Sequence, residues 1–237
     1  IYVFNNLNVA AIERSINELS AKIAEAQILM LVGGFSSGDE PDGSGKFIAS
    51  VLKNPKVNAA IQTLLHNDGL ILGICNGFQA LIKLGLLPDG EIRDMTQNDA
   101  TLTFNTIGRH LSQMVTTRVA SVKSPWLANV NVGDTHIIPI SHGEGRFIAP
   151  MEKIQEFFDN GQVFTQYVDE NGEPTMVSPY NPNGSMCAIE GLISKDGRVL
   201  GKMGHSERQG ENRFKNIYGE MDQKIFEAGV NYFKGGK

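Results

Sequence analysis

The sequence predicts an α/β fold whose sheet is doubly wound and mostly parallel. Apolar residues fall at helical spacing from Leu7 to Ala26, and short continuous apolar runs follow at Ile28–Val32 and Gly69–Ile74. Such runs are typical of strands that are buried on both faces of a parallel sheet. Helical patterns at Val57–His66 and Asn76–Leu84 alternate with these runs, which indicates parallel strands joined by crossover helices.

The second half of the sequence is richer in strand patterns. Short apolar or alternating runs predict strands at Thr101–Asn105, Gln113–Val122, His136–Ile140, Val163–Val168, Met186–Ile193 and Val199–Met203. Hairpin-type turns are indicated at Asn171-Gly172 and Asp196-Gly197, and a final helix at Gln223–Phe233. No clear boundary divides the chain, so we expect one domain over residues 1–237.

The composition excludes several classes of protein. Hydrophobic residues make up 41% and charged residues 20% of the 237 residues, which is an ordinary globular mixture and not that of a disordered chain. The net charge of −5 argues against a nucleic-acid partner, because such a partner usually needs a basic surface. No run approaches the ~20 apolar residues that span a bilayer, and only two cysteines are present. We therefore expect no membrane partner and a cytoplasmic location.

A candidate nucleophile lies in the segment Gly73-Ile74-Cys75-Asn76-Gly77, between a predicted buried strand and a predicted helix. A tight strand-to-helix turn presents a nucleophile at the carboxyl edge of a sheet, and small flanking residues let the turn close. The start of the helix would favour the thiolate of Cys75, and the amide of Asn76 would face a developing oxyanion. The alternative is a small buried cysteine that ends a core strand. Cys187, inside an apolar run, has no such context and is interpreted as core.

A cysteine nucleophile needs a base, and the base needs a group that orients it. Two histidines follow predicted strands and precede a glutamate by two residues: His205 with Glu207, and His142 with Glu144. Either carboxylate could hold the useful tautomer of its histidine. The spacing alone does not choose between the two pairs.

The chain resembles the class I (triad) glutamine amidotransferases, and among them the glutaminase domain of phosphoribosylformylglycinamidine synthase of the large single-chain type. The matching segments are Gly33-Gly34-Phe35-Ser36 with Gly38-Asp39, Gly73-Ile74-Cys75-Asn76-Gly77-Phe78-Gln79, Ser141-His142-Gly143-Glu144-Gly145-Arg146-Phe147, Asn181-Pro182-Asn183-Gly184-Ser185 and Gly204-His205-Ser206-Glu207-Arg208. The similarity runs from near the start of the chain to beyond the last segment. The family usually has proline where Ser206 stands, and serine keeps the spacing.

The resemblance implies a role for each matching residue. Cys75 would be the nucleophile, with His205 and Glu207 as its catalytic partners. The amide of Gly34 would join that of Asn76 in the oxyanion hole. The positions that resemble those lining a glutamine pocket are Gly33, Phe35, Gln79, Ser141, His142 and Gly143.

The resemblance also implies an activity. The chain would hydrolyse L-glutamine, and the ammonia would pass to a synthetase domain of the same longer polypeptide, where ATP and Mg²⁺ would bind and formylglycinamidine ribonucleotide would form. Within this chain we expect no metal and no cofactor, and the glycine-rich stretch at residues 38–45 lacks the phosphate-loop pattern. The sequence begins with Ile1, so the resemblance further implies a domain truncated at its N-terminus, without the first strand and helix of the family fold.

Two other functions are compatible with a cysteine on such a turn. One is a different cysteine hydrolase of the same superfamily, such as a peptidase or deglycase, which would not need the segments around Gln79 and Ser141. The other is a regulatory module that has kept the fold and lost the chemistry. An intact Cys75, His205 and Glu207 argue against that possibility.

Overall fold

The computed structural model describes residues 1–35 and 45–235, in which helices accompany a main sheet of seven strands and a smaller sheet of two. The strands are β1 (Ile28–Leu31), β2 (Leu70–Ile74), β3 (Thr101–Phe104), β4 (Leu111–Val119), β5 (Thr135–His142), β6 (Glu144–Ile148), β7 (Val163–Tyr167), β8 (Ile189–Ile193) and β9 (Val199–Lys202). The helices are α1 (Val9–Glu25), α2 (Lys46–Leu52), α3 (Pro55–His66), α4 (Asn76–Leu84), α5 (Leu86–Asp89), α6 (Met151–Asp159) and α7 (Ile225–Lys234). None of the helices in these two ranges is long and apolar enough to cross a membrane.

The strand order of the main sheet is β1-β2-β9-β8-β7-β4-β5, and β3 pairs with β6 in the smaller sheet. The strands β1, β2 and β9 are parallel neighbours, as the sequence predicts for the first half of the chain. The α/β class is therefore confirmed, with a correction to the expected pairing. The contacts from β9 through β8, β7 and β4 to β5 are antiparallel, so the sheet is mixed and not mostly parallel.

A short connection explains one of the antiparallel pairs, β8 with β9. A tight turn can join antiparallel neighbours, whereas parallel neighbours need a long crossover. The turn at Asp196-Gly197, where Gly197 has φ of 77°, joins β8 directly to β9. The sequence indicated this turn, and it requires the antiparallel pairing that the expectation of a mostly parallel sheet overlooked.

Three further details differ from the sequence predictions. Met30 on β1 is 39% exposed, because β1 pairs only with β2 among the described residues and is not a fully buried strand. Cys187 is half-buried in a short 3-10 turn before β8, with φ of 49°, and does not lie inside a core strand. The elements α2, α5, α6 and β6 were not predicted. Most of the predicted loop between Gly33 and Gly45 lies outside the described residues.

The turn between β2 and α4 depends on close backbone contact. A Cβ atom on Gly77 would lie 2.1 Å from the main-chain oxygen of Leu31, and one on Gly73 would lie 2.8 Å from the carbonyl carbon of Gly77. Only glycine lets α4 approach β1 and β2 this closely. The prediction that small flanking residues let the turn close is confirmed, and Cys75 stands between them.

We expect Gly77→Ala to destabilise the protein, although alanine is usually the better helix residue. The new methyl group must displace the backbone of β1, and such overpacking costs about 1–3 kcal/mol or more. Urea unfolding of the parent and the variant measures the change. Gly235→Ala is the control, because its added Cβ would make only an ordinary contact at 3.5 Å. Equal stability of the parent and Gly77→Ala would contradict the packing described.

Candidate active site

Cys75 occupies a strained position at the carboxyl end of β2. Its φ of 52° and ψ of −106° lie outside the regions that L-residues prefer. Its N–H donates to the main-chain oxygen of Lys202 at 2.8 Å, so the neighbouring strand β9 holds the turn. The side chain is buried, and Sγ lies 3.7 Å from the main-chain oxygen of Ser141, to which the thiol donates.

Two backbone amides point at the sulfur. Both Asn76 and Gly34 donate a backbone hydrogen bond toward Sγ of Cys75, and Gly34 has φ of 141°, a conformation that favours glycine. These are the two amides that the sequence analysis predicts for an oxyanion hole. They lie close to Sγ, the atom to which the tetrahedral carbon of an intermediate would be bonded.

The thiol of Cys75 is nevertheless protonated at rest. Burial raises its pKa to about 11, and the amides of Asn76 and Gly34 and the charge of Arg208 only partly offset that effect. The first amide of the helix, that of Asn76, lowers the pKa of the thiol in the expected direction, but burial has the larger effect. Desolvation of the charged form outweighs the nearby amide donors.

His205 follows β9 and is held by a carboxylate. Its Nδ1 lies 2.6 Å from Oε1 of Glu207, and an ionised carboxylate only accepts, so Nδ1 carries the proton and Nε2 is left as a base. Burial raises the pKa of Glu207, but the hydrogen bond from His205 and the charge of Arg208 help to bring that pKa below its ordinary value. Within the described part of the chain, the buried Nε2 has no hydrogen-bond partner.

Gly33, which follows β1, lies against both Cys75 and His205. A Cβ on Gly33 would be 2.7 Å from Cε1 of His205 and 3.2 Å from Cβ of Cys75. The ends of three adjacent parallel strands therefore bring together a thiol, an imidazole and a backbone amide.

The competing histidine, His142, is held differently. Its Nδ1 lies 3.1 Å from Oδ1 of Asn105, which also accepts from the N–H of Gly145 at 3.2 Å. Burial lowers the pKa of His142 to about 3, so the ring is neutral at physiological pH. An amide and not a carboxylate orients this ring, so the geometry favours His205 as the base.

The remaining predicted pocket residues differ in their burial and contacts. Gln79 is buried, accepts from Nδ2 of Asn76 at 3.2 Å and donates to the main-chain oxygen of Glu144. Gly143 has open space where a Cβ would stand. Phe35 is 71% exposed, and its ring lies 5.8 Å from that of His110.

Three residues that support the site, His110, Asn183 and Asn105, had no role assigned from the sequence. Nε2 of His110 lies 3.1 Å from Oγ of Ser141. Nδ2 of Asn183 donates to the main-chain oxygen of Gly145 at 2.8 Å, so the Asn-Pro-Asn-Gly-Ser segment braces the segment that begins at Ser141. Asn105 had no local signal, because nothing nearby in the sequence marks its contact with His142.

The chain belongs to the CobB/CobQ-like glutamine amidotransferase domain family, whose model matches residues 2–233. Among the described residues, no three His, Cys, Asp or Glu side chains cluster in a way that could hold a metal ion.

Similar proteins narrow the class further. The chain is 34% identical to phosphoribosylformylglycinamidine synthase subunit PurQ of Treponema denticola over 238 residues, which cover 92% of this chain and 87% of that protein. It is 38% identical to the same subunit of Methanococcus maripaludis over 199 residues, covering 81% and 70%. The structure of PurLQS from Thermotoga maritima matches with a TM-score of 0.64 and 30% identity, covering 87% of this chain and 80% of that one.

The pKa of Cys75 has a measurable consequence. We expect the rate of alkylation of Cys75 by iodoacetamide to keep rising with pH toward about 11, because only the thiolate reacts. The rate is measured by mass spectrometry in a Cys187→Ser background, so that one thiol is followed. A rate that becomes constant below pH 8 would contradict a buried, protonated thiol and would indicate a preformed thiolate–imidazolium pair.

Proposed function

We propose that this protein hydrolyses L-glutamine to glutamate and ammonia through a thioester on Cys75, and that the ammonia serves the synthesis of formylglycinamidine ribonucleotide in purine biosynthesis. Membership of the glutamine amidotransferase family supports the first part. The names of the relatives, which are subunits of phosphoribosylformylglycinamidine synthase, support the second.

One observation carries the catalytic assignment. Cys75, His205 and Gly33 meet at the ends of adjacent parallel strands, and Glu207 fixes the tautomer of His205 at 2.6 Å. A nucleophile, a base and a group that orients the base are the parts that acyl transfer requires.

In the first half-reaction, Sγ of Cys75 attacks the side-chain carbonyl carbon of glutamine. Because the resting thiol is protonated, its proton moves to Nε2 of His205 as the bond forms. The negative charge that develops on the carbonyl oxygen is stabilised by the amides of Gly34 and Asn76. The imidazolium of His205 then protonates the departing nitrogen, ammonia leaves, and a γ-glutamyl thioester remains.

In the second half-reaction, water replaces ammonia. Nε2 of His205 removes a proton from water as it attacks the thioester, and collapse of the second tetrahedral adduct releases glutamate and regenerates the thiol. The two half-reactions use the same base and the same oxyanion donors. Glu207 stabilises the imidazolium in both, because its carboxylate stays ionised.

The rest of the glutamine contacts the wall of the pocket in this proposal. Ser141 and Gly143 face the α-amino and carboxylate groups, and Gly33, Phe35, Gln79 and His142 line the remaining space. Gln79 fixes the wall by donating to the main chain at Glu144. Neutral His142 adds no charge that would repel the ammonium group of the substrate.

The ammonia is used by a synthetase that binds ATP and Mg²⁺. We propose that the synthetase domain belongs to the same longer polypeptide, which the resemblance of the Ser141–Phe147 and Asn181–Ser185 segments supports. The names of the relatives describe separate subunits and favour the alternative of two chains. The mass of the protein isolated from its native cells decides between one chain and two.

A cytoplasmic location suits this pathway and the two unpaired cysteines.

We expect Cys75→Ala to abolish glutamine hydrolysis, because no other group on the turn can form the thioester. Glu207→Gln should lower kcat by about 10⁴-fold, since the amide no longer holds the required tautomer of His205. Glutamate release is measured with and without the synthetase, ATP and formylglycinamide ribonucleotide. The matched controls are Cys187→Ser, at the half-buried second cysteine, and His66→Asn, at an exposed histidine, and both should keep the parent's rate.

If Cys75→Ala hydrolysed glutamine as fast as the parent, Cys75 would be excluded as the nucleophile. A parent protein that releases no glutamate even with the complete synthetase would support the inactive regulatory alternative. Hydrolysis of peptides or of glycated amines in preference to glutamine would support the other cysteine hydrolases.

A further inference from the structure

A buried ion pair lies directly behind the loop that carries His205. Nζ of Lys202, at the end of β9, lies 3.7 Å from Oε1 of Glu190 on β8, and neither side chain reaches solvent. Burying two charges costs more in desolvation than their mutual attraction returns unless other hydrogen bonds complete the site. Such a pair therefore needs an explanation beyond stability.

The two charged groups hold the residues on either side of His205. Oε1 of Glu190 accepts the N–H of Gly204 at 2.6 Å, and Nζ of Lys202 donates to Oγ of Ser206 at 2.7 Å. The N–H of His205 itself donates to the main-chain oxygen of Pro139 at 2.8 Å. Hydrogen bonds thus hold three consecutive residues of the loop, Gly204, His205 and Ser206.

The polar groups in this cluster have partners. Nζ of Lys202 also donates to Oε1 of Gln223 at 2.5 Å, so it makes two hydrogen bonds besides its 3.7 Å ion pair with Glu190. Oγ of Ser206 donates to the same oxygen of Gln223 at 2.6 Å. The second carboxylate oxygen of Glu190 accepts from Thr165. These hydrogen bonds tie both charged side chains to the surrounding strands and loops.

Lys202 also contacts the other half of the site. Its main-chain oxygen accepts the N–H of Cys75 at 2.8 Å, while its side chain holds Ser206. One residue therefore links the turn that bears the thiol to the loop that bears the imidazole.

We propose that Lys202 and Glu190 are positioning residues, which act through Ser206 and Gly204 to hold His205 and Glu207 in line with Cys75. The inference rests on the catalytic roles proposed above. Serine does not fix the φ of this loop position as proline would, but its hydroxyl group receives a hydrogen bond from the buried side chain of Lys202.

The test compares Ser206→Ala and Lys202→Met with the parent. Ser206→Ala should lower kcat about tenfold or more and leave KM within about twofold, because a displaced base slows the chemistry without weakening glutamine binding. Ser124→Ala is the matched control, since Ser124 is also buried and its Oγ also makes two hydrogen bonds, but on the loop that precedes the Pro125–Leu127 turn. Its kcat should equal that of the parent. Ser206→Ala decides the test even if Lys202→Met does not fold.

A second readout does not depend on activity. The ring nitrogens of His205 are observed by NMR in histidine-labelled protein and assigned with His205→Asn. The Nδ1 signal should shift or broaden in Ser206→Ala as the contact with Glu207 loosens, and should stay unchanged in Ser124→Ala. An unchanged signal in Ser206→Ala overturns the positioning role, whatever happens to kcat. If the parent hydrolyses no glutamine, the proposed function fails, and the NMR comparison still decides the positioning role.

Discussion

The structure of the site depends on the parallel register between β2 and β9. Ile74 pairs with Lys202, so the next residues of the two strands leave the sheet side by side, one into the turn at Cys75 and the other toward His205. The third parallel strand, β1, ends beside them at Gly33 and supplies the amide of Gly34. Because the carboxyl ends of parallel strands share one edge of a sheet, the pairing of three short strands assembles groups that are far apart in sequence.

Burial and hydrogen bonding act in opposite directions at the thiol. Burial raises the pKa of Cys75, and the amides of Gly34 and Asn76 lower it by less. In the proposed mechanism, the same amides would stabilise a developing oxyanion more than the resting thiol. Cys75, with its strained φ of 52°, stands between two glycines whose lack of a Cβ atom lets the turn close.

The sequence was sufficient for features that are encoded locally. The apolar run before Cys75, the small residues around it and the His-x-Glu spacing predict the turn and the two candidate bases, and α4 has the predicted bounds. Features that depend on tertiary pairing were missed. Apart from the β8–β9 turn, the antiparallel pairs join strands with long connections between them, and Glu190, the partner of Lys202, lies on another strand. The missed helix α6 did carry a signal, because Ile154 and Phe157 have helical spacing, but a helix this short is easily read as a loop.

A glutamine site already formed around Cys75 would react with a glutamine-mimicking diazo-ketone. The folded protein is treated with the reagent, its intact mass is measured, and the modified peptide is mapped, with excess glutamine as competitor and Cys187 as the internal control. We expect a single adduct on Cys75 that glutamine prevents and that is absent from Cys187. A folded protein that forms no adduct, or that reacts equally at both cysteines whether or not glutamine is present, would contradict that expectation.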